Sequence, residues 1–412
     1  MSPLPLFNSF KQRGVAFFIL LFVFTVFTYL EFDNYKSIIK EEIYQTDATI
    51  KNIYEKNKYN VLKLQTDNFT FFTSVSKTTK LKKLQKINLF FLTKNISFTD
   101  YLKGFYTHSF SLKPYPKENS FKSNLYDFID KQHQNKSIAS LYSALFLAIS
   151  VDDQIREFTA IYGISHLIAI SGFHLGVLSI VIYFLLHLLY NPIHKKYFPY
   201  RNKRFDILVL SSIILFCYLV LLDFVPSLLR AFTMLIFGLY LIRNNIKILS
   251  FETLFWIVLI ILALFPKLLF SLSLWFSVAG VFYIFLFLHY FKALNKYIQL
   301  LLFNLWIYLA MNPIVHYFFD ITSYEQLLSP IITIIFTLFY PFVFILHLFT
   351  LGDLLDPFLE YILNIDINVF ERGVDFPLFI SYVLLSLVSI YSKKGFYLLN
   401  FFILAFSIYL FI

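Results

Sequence analysis

Two histidines, three serines and two glycines crowd one otherwise apolar stretch, Ile164–Ser179, ISHLIAISGFHLGVLS. Written as a continuous helix at about 100° per residue, it places Ser165, Ala169, Gly172, Gly176 and Ser179 on one face. His166, Ser171 and His174 then face roughly the other way. The Gly172–Gly176 spacing suits close approach of a second helix, and the small face reads as a packing stripe. The histidine–serine face suits a polar lumen, since ionisable groups are rare in apolar segments without a role. Histidines satisfied by backbone are the plainer alternative. Hydrolytic chemistry is disfavoured. A nucleophile elbow needs G-x-S-x-G, and here Ala169 stands where the first glycine must be. The chain has nine histidines but no H-E-x-x-H and no H-x-H, so the metal-ligand spacings of a zinc site are missing. The sequence predicts no catalytic residue, no metal and no cofactor.

Three further constellations carry polar groups within apolar surroundings. In Asp223–Ala231, DFVPSLLRA, Arg230 is an arginine between apolar runs. Either Pro226 marks a loop and Arg230 snorkels to the headgroups, or its bidentate donors line an aqueous path and meet phosphate. Asp223 lies seven residues from Arg230, too far to touch it within a straight helix. Ser271–Gly280, SLSLWFSVAG, carries the small and hydroxylated residues of a tightly packed helix. Asn312–Leu328, NPIVHYFFDITSYEQLL, brings His316, Asp320 and Glu325 into one membrane-level region or into an external loop between spans.

The elements that must position these groups are set by composition. Of 412 residues, 58% are hydrophobic and 15% charged, where a soluble domain is nearer half apolar and a quarter charged. From Ile161 onward the chain is a series of apolar runs. Phe205–Asp223, Ser250–Phe265 and Pro330–Leu351 approach the roughly 20 residues that cross a bilayer as helix. The runs are continuous rather than alternating, which excludes barrel strands. The one cysteine, Cys217, excludes an intramolecular disulfide. The fold expected is a mostly α, polytopic helical membrane bundle.

Lys11 and Arg13 precede the apolar stretch Val15–Leu30, so residues 1–30 read as an uncleaved signal anchor with a cytoplasmic N-terminus. Residues 31–136 read as a small periplasmic β-rich domain and its connector. Its strands are expected at Val61–Leu64, Phe69–Val75 and Ile87–Leu92, with helix over Ser123–Ala148. Residues 51–103 carry eleven lysines against Glu55, Asp67 and Asp100, with aromatics interleaved. Lys51, Lys63, Phe72, Lys82 and Lys83 are the candidates for a basic, stacking surface of the kind that binds single strands without sequence choice. A lysine-rich solvated surface over an aromatic core is the alternative. Residues 137–412 form the polytopic domain. Its basic clusters at His194–Arg204, Arg243–Lys247 and Lys292–Lys296 alternate with polar breaks poor in positive charge, as the positive-inside rule requires. After Lys296 strict alternation fails. One segment between 297 and 350 must enter without crossing, or lie in the interface.

Taken in order, these motifs resemble the ComEC competence family. Gly163–Gly176, GISHLIAISGFHLG, looks like the family's signature stretch. Pro226–Ala231 matches its proline-serine and arginine-alanine element, Ser271–Gly280 is similar to its serine-leucine-serine block, and Asn312–Pro330 falls at its proline-led, histidine-bearing segment. Upstream, Phe98–His108 looks like the segment that follows the family's oligonucleotide-binding-fold domain, which suggests that fold for residues 41–112. The resemblance implies an inner-membrane channel passing one DNA strand into a bacterium during natural transformation. Ser165, His166, Ser171, His174 and Arg230 would line the path. Implied partners are single-stranded DNA, the lipid bilayer, a periplasmic DNA receptor and a cytoplasmic motor or helicase, with self-association possible in principle. The family's metallo-β-lactamase-like domain needs an H-x-H-x-D-H cluster, and the sequence has none, so degradation of the second strand is expected to fall to another protein. A channel for another anionic solute, or a membrane scaffold, is the competing reading.

The charge pattern makes a direct test. Cysteines placed within His194–Arg204 are expected to be protected from impermeant thiol reagents in spheroplasts, and those placed within 51–103 to react. Labelling in the reverse order would overturn the orientation.

Overall fold

The computed structural model describes residues 6–79, 81–116, 120–244 and 250–412; Lys247 of the second basic cluster lies outside them. The first helix, α1 (Phe10–Ile39), is capped by Ser9, whose hydroxyl accepts from Gln12 N–H. Its 30 residues span about 45 Å, well beyond the roughly 30 Å hydrocarbon core. The excess carries Tyr35 and Ile38 into the core of the adjoining β domain. The anchor therefore ends near residue 39 rather than 30 and is welded to that domain.

The β domain is a closed barrel of β1 (Ile43–Glu55), β2 (Tyr59–Gln65), β3 (Thr70–Ser76), β4 (Lys86–Leu92), β5 (Phe105–Tyr106) and β6 (Ser109–Pro114). β1 pairs with both β2 and β4, and shifts register between Ile50 and Asn52. Such a bulge bends a long strand so that it can serve two neighbours. β5 runs parallel to β3 and β6 antiparallel to β4. Only Thr107 and His108 separate β5 from β6, and both keep pairing: Thr107 N donates to Phe72 O and Leu92 N to His108 O. The two short strands are thus one strand, and it closes the sheet into the five-stranded form expected of an oligonucleotide-binding-like barrel. Alternate residues Leu62, Leu64, Phe71, Ile87, Leu89 and Phe91 fill the interior. Each contributes about 1.5–3 kcal/mol by leaving water. The strand expected over Phe69–Val75 is β3, with Phe71 and Thr73 buried and Thr70, Phe72 and Ser74 partly exposed. The FTDYLKGFYTH stretch does not follow the barrel but completes it: α2 (Phe98–Lys103), closed by a Ser97–Asp100 capping box, seats Tyr101 in the core, and β5 comes next.

Residues 123–148 are two helices rather than one, α3 (Phe121–Asp130) and α4 (Lys136–Leu147), folded as a hairpin. After α5 (Asp153–Ile161) and α6 (Ser165–Ile168) come α7 (Gly172–Tyr197), α8 (Lys203–Leu221), α9 (Pro226–Arg243), α10 (Phe251–Leu264), α11 (Leu272–Tyr290) and α12 (Lys296–Phe318). The chain continues through β7 (Ile321–Thr322), α13 (Ser329–Leu348), α14 (Asp356–Leu363), β8 (Phe370–Glu371), α15 (Phe376–Val388) and α16 (Lys393–Phe411). Asn312 and His316 are helical, at the end of α12, so only the latter part of NPIVHYFFDITSYEQLL is loop. Seven helices among the described residues, α1, α7, α8, α11, α12, α16 and the segment Tyr324–Leu348, are long and apolar enough to cross a membrane. The protein is a multi-pass membrane protein, mostly α, with a small β domain near its N-terminus.

Contacts sort the helix ends into two levels. At the barrel end, the α8–α9 turn bonds Lys51, and Lys267 between α10 and α11 bonds Glu31. At the basic end, Arg13 of α1 meets Glu252 of α10, and the Tyr290 hydroxyl donates to Ser389 O between α15 and α16. α12 finishes at the barrel end, where Phe319 stacks on Phe276 at the start of α11. α13 is the segment that breaks the alternation. Its first residue, Ser329, bonds the Gly163 carbonyl, and its last turn docks on the α3–α4 turn. The chain then returns to its starting point, with β8 pairing β7 and Arg372 N donating to Asp320 O. The excursion from Asp320 to Arg372, with α13 inside it, thus leaves from and returns to one level. Lys393 and Lys394 consequently fall at the basic end and Asp375 at the barrel end.

A buried chain of hydrogen bonds fastens this excursion. His133 Nδ1 lies 2.9 Å from Asp356 Oδ1, the Nε2 atoms of His133 and His347 lie 3.0 Å apart, and His347 Nδ1 donates to Val343 O (2.7 Å). Asp356→Ala is expected to cost about 1–3 kcal/mol, the usual penalty for leaving a buried polar group without its partner, read as a lower unfolding midpoint in detergent. An unchanged midpoint would mean that the chain does not fasten the excursion.

Candidate functional site

The Gly163–Gly176 stretch is not a continuous helix. α5 ends at Ile161, and Gly163 turns the chain at φ +64°. One turn, α6, comes next. Ala169 is extended, and Ser171 at φ −133°, ψ −179° caps α7. The Ser171 hydroxyl accepts from Phe173 N, and His174 Nδ1 accepts from Ser171 N at 3.2 Å. This is a capping box with histidine in the place usually held by glutamate. The pair stops a helix from running through residue 171, so the small-residue face drawn across 165–179 does not exist as one surface.

The faces are largely exchanged. His174 is 0% exposed, packed edge-on against Tyr340 with ring centroids 4.8 Å apart. It does not line a lumen, and Ser171 is spent as a cap. Gly172 does pack, its missing Cβ lying 3.5 Å from Ala231 Cβ, whereas Gly176 faces open space. Ser165, His166, Ala169, Gly172 and Gly176 are the exposed positions. His166 keeps its exposure beside the break, as its place on the expected polar face required.

A helix broken this way leaves carbonyls without intrahelical partners, and each must be satisfied by protein at this depth. The other motifs supply those partners. Ser323 Oγ donates to Ile161 O (2.6 Å), Gln326 Nε2 to Ala160 O (3.2 Å), Ser329 Oγ to Gly163 O (3.1 Å) and Ser227 Oγ to Ile170 O. Motifs one, two and four therefore meet at one broken backbone. The third joins through Arg230, whose Nη1 donates to Ser273 O at 2.7 Å. Arg230 is 4% exposed, its Nε has no partner, and among the described residues no carboxylate pairs with it. It does not snorkel. It sits in the second turn of α9, roughly 6 Å along the axis from the barrel-end start. On α12, His316 and Asn312 are also buried with unpartnered nitrogens.

The five barrel candidates divide. Lys63 and Phe72 are paired across β2 and β3, and Phe72 pairs Tyr106 of β5, giving a row of lysine and two rings on the outer face. Lys82 is exposed. Lys51 and Lys83 are not free surface: Lys51 bonds Asp223, and Lys83 bonds the Ser150 carbonyl, where burial lowers its ammonium below the ordinary value against the pull of Asp152. Both fasten the barrel to the helices. The sequence pattern offered no sign of His133 meeting His347 and Asp356, since His133 lies more than two hundred positions from both and carries no local signal. Nor did it mark Ser323, Gln326 and Ser329 as partners of the broken helix, although their polarity inside an apolar region is visible.

Gly163→Ala is expected to lower stability by about 1–2 kcal/mol, because a Cβ disfavours left-handed backbone and would sit 3.3 Å from Gln326 Cγ. Gly176→Ala, helical and facing open space, should stabilise by up to about 1 kcal/mol. Thermal unfolding of the two variants in one detergent checks both signs.

The family model described as Competence protein matches residues 149–412, more than half of the chain. No curated protein and no solved structure matches it.

Proposed function

The chain belongs to the competence protein family, and from that premise we propose that it is the inner-membrane channel that passes single-stranded DNA into the cytoplasm of a bacterium during natural transformation. In this reading the barrel lies in the periplasm, and the N-terminus and the basic end face the cytoplasm. The observation that carries it is Arg230. A guanidinium removed from water without a counter-charge is costly, and one with an idle Nε donor is poised for an anion that comes and goes. A DNA strand brings one phosphate per nucleotide, and the planar fork of arginine holds phosphate through two bonds. Its placement near the barrel end, on the helix whose Ser227 bonds the broken stretch at Ile170, makes it an early contact for a strand entering from the barrel side. The row formed by Lys63, Phe72 and Tyr106 offers charge and stacking to the same strand outside.

No catalytic step is assigned to these groups. The sequence has no phosphate-binding G-x-x-x-x-G-K-[ST] loop, so this chain supplies the path while a cytoplasmic motor or helicase draws the strand. A periplasmic DNA receptor delivers it.

Arg230→Ala is expected to cut DNA internalisation about ten- to hundredfold, the value of one charge-assisted hydrogen-bonding group of about 1.5–3 kcal/mol, with protein abundance and surface-bound DNA unchanged. Arg230→Lys should retain part of the activity, keeping the charge without the fork. Normal transformation by a stably expressed Arg230→Ala protein would remove Arg230 from the path.

A further inference from the structure

Two lysines from different elements converge on a single oxygen at the barrel end. Lys51 Nζ, from β1, lies 3.0 Å from Asp223 Oδ2, and Lys122 Nζ, from the first turn of α3, lies 2.8 Å from the same atom. Ammonium groups that share one oxygen stand within a few ångströms of each other and repel unless an anion sits between them. The Lys122 side chain is 12% exposed and Lys51 23%, whereas Asp223 is 47% exposed. The cations are walled in and the anion faces out. Burial alone would raise the Asp223 carboxyl, but Lys122 and Lys51 outweigh it and hold it below the ordinary carboxylate value. Lys122 moves the other way, lowered by its own burial in spite of Asp223, as expected of the more enclosed partner.

Asp223 reaches this position by an unfavourable route. Asp223 at φ +55° and Phe224 at φ +53° are consecutive left-handed residues. Aspartate tolerates that conformation, but for a bulky aromatic such as Phe224 it costs about 1–2 kcal/mol. The strained turn leads directly into Pro226 and α9, which carries Arg230.

We propose that Lys51 and Lys122 form a phosphodiester site at the entrance, and that Asp223 is its tethered place-holder, displaced when a strand's phosphate arrives. This rests on the channel reading above. A phosphate oxygen restores the charge balance that Asp223 provides, and displacement lets the turn relax, so exchange costs little. The same chemistry would accept the phosphate of an anionic lipid headgroup, and the choice of bilayer separates the two sources.

The test uses the full chain in nanodiscs of zwitterionic lipid and a fluorescent oligothymidylate, with binding read by anisotropy across a salt series. Asp223→Asn is the informative variant: it removes the competing charge, keeps the size, and tolerates left-handed backbone. It should tighten binding about tenfold and steepen the log–log salt slope by about 0.7 for each lysine released to a phosphate. Adding Lys51→Gln and Lys122→Gln to Asp223→Asn should abolish the gain. Unchanged or weaker binding by Asp223→Asn, with an unfolding midpoint like that of the parent, would make the triad a strut and overturn the proposal. So would a variant that, in nanodiscs containing phosphatidylglycerol, retains more of that lipid by native mass spectrometry without any gain for the oligonucleotide. If the parent protein binds the oligonucleotide and Asp223→Asn adds nothing, this inference fails and the channel reading stands. If neither binds at low salt, both fail.

Discussion

Everything in the membrane domain is organised by one constraint: the backbone between Ile161 and Gly172 is broken at a depth where its carbonyls must still be satisfied. Four carbonyls at the break find side-chain donors, on Ser323, Gln326, Ser329 and Ser227. Those donors come from segments far apart in the chain, and serving the break is what brings α9 and the start of α13 to α6 and α7. The break in turn leaves Ser165, His166 and Ala169 exposed. Arg230 is held beside it by a single bond to Ser273, with capacity left over.

The barrel is joined to this arrangement by charge as well as by Leu84, which packs against the helical core. Lys51 and Lys122 meet Asp223, Lys267 meets Glu31, and Arg156 stacks over Tyr54. Contacts of this kind exchange readily with other anions and weaken in salt, unlike the weld between α1 and the barrel core, where Tyr35 and Ile38 are buried. On the far side, the chain of Asp356, His133 and His347 clamps the end of α13 to the α3–α4 turn. The excursion from Asp320 to Arg372 is tied at its start by Gly163, at its turning point by His133, and at its return by the pairing of β7 with β8.

Much of this was legible in the residues themselves. Apolar runs of bilayer length, alternating basic clusters and period-two strands are local patterns, each fixed by the chemistry of a few neighbouring side chains. They determined the helical membrane bundle, the small β domain and its three middle strands. The signature stretch and Arg230 were recognisable as polar groups in apolar surroundings. Where the chain returns to its starting level was not legible, because hydropathy describes what a helix can be buried in and not where its ends are tied. Tyr324–Leu348 is as apolar as the other long helices, and it is the pairing of β7 with β8 that brings the chain back to the level it left.

The orientation of side chains around the break belonged to the tertiary structure for a similar reason. A 100° helical projection assumes continuity, and the Ser171–His174 capping box that ends continuity looks, in sequence, like two polar residues on a lumen face. The reversal that buries His174 and exposes Ala169 stems from that one broken turn. Likewise, a lysine reads the same whether it faces water or a carboxylate. That Lys63 stays on the outer face while Lys51 and Lys83 are drawn into the helices depends on which edge of the barrel meets the bundle, a relation between residues such as Lys51 and Asp223 that are 172 positions apart. Sequence determined the elements and the chemistry available to them; long-range pairing of backbone and charge decided which of those groups are buried, paired or left exposed.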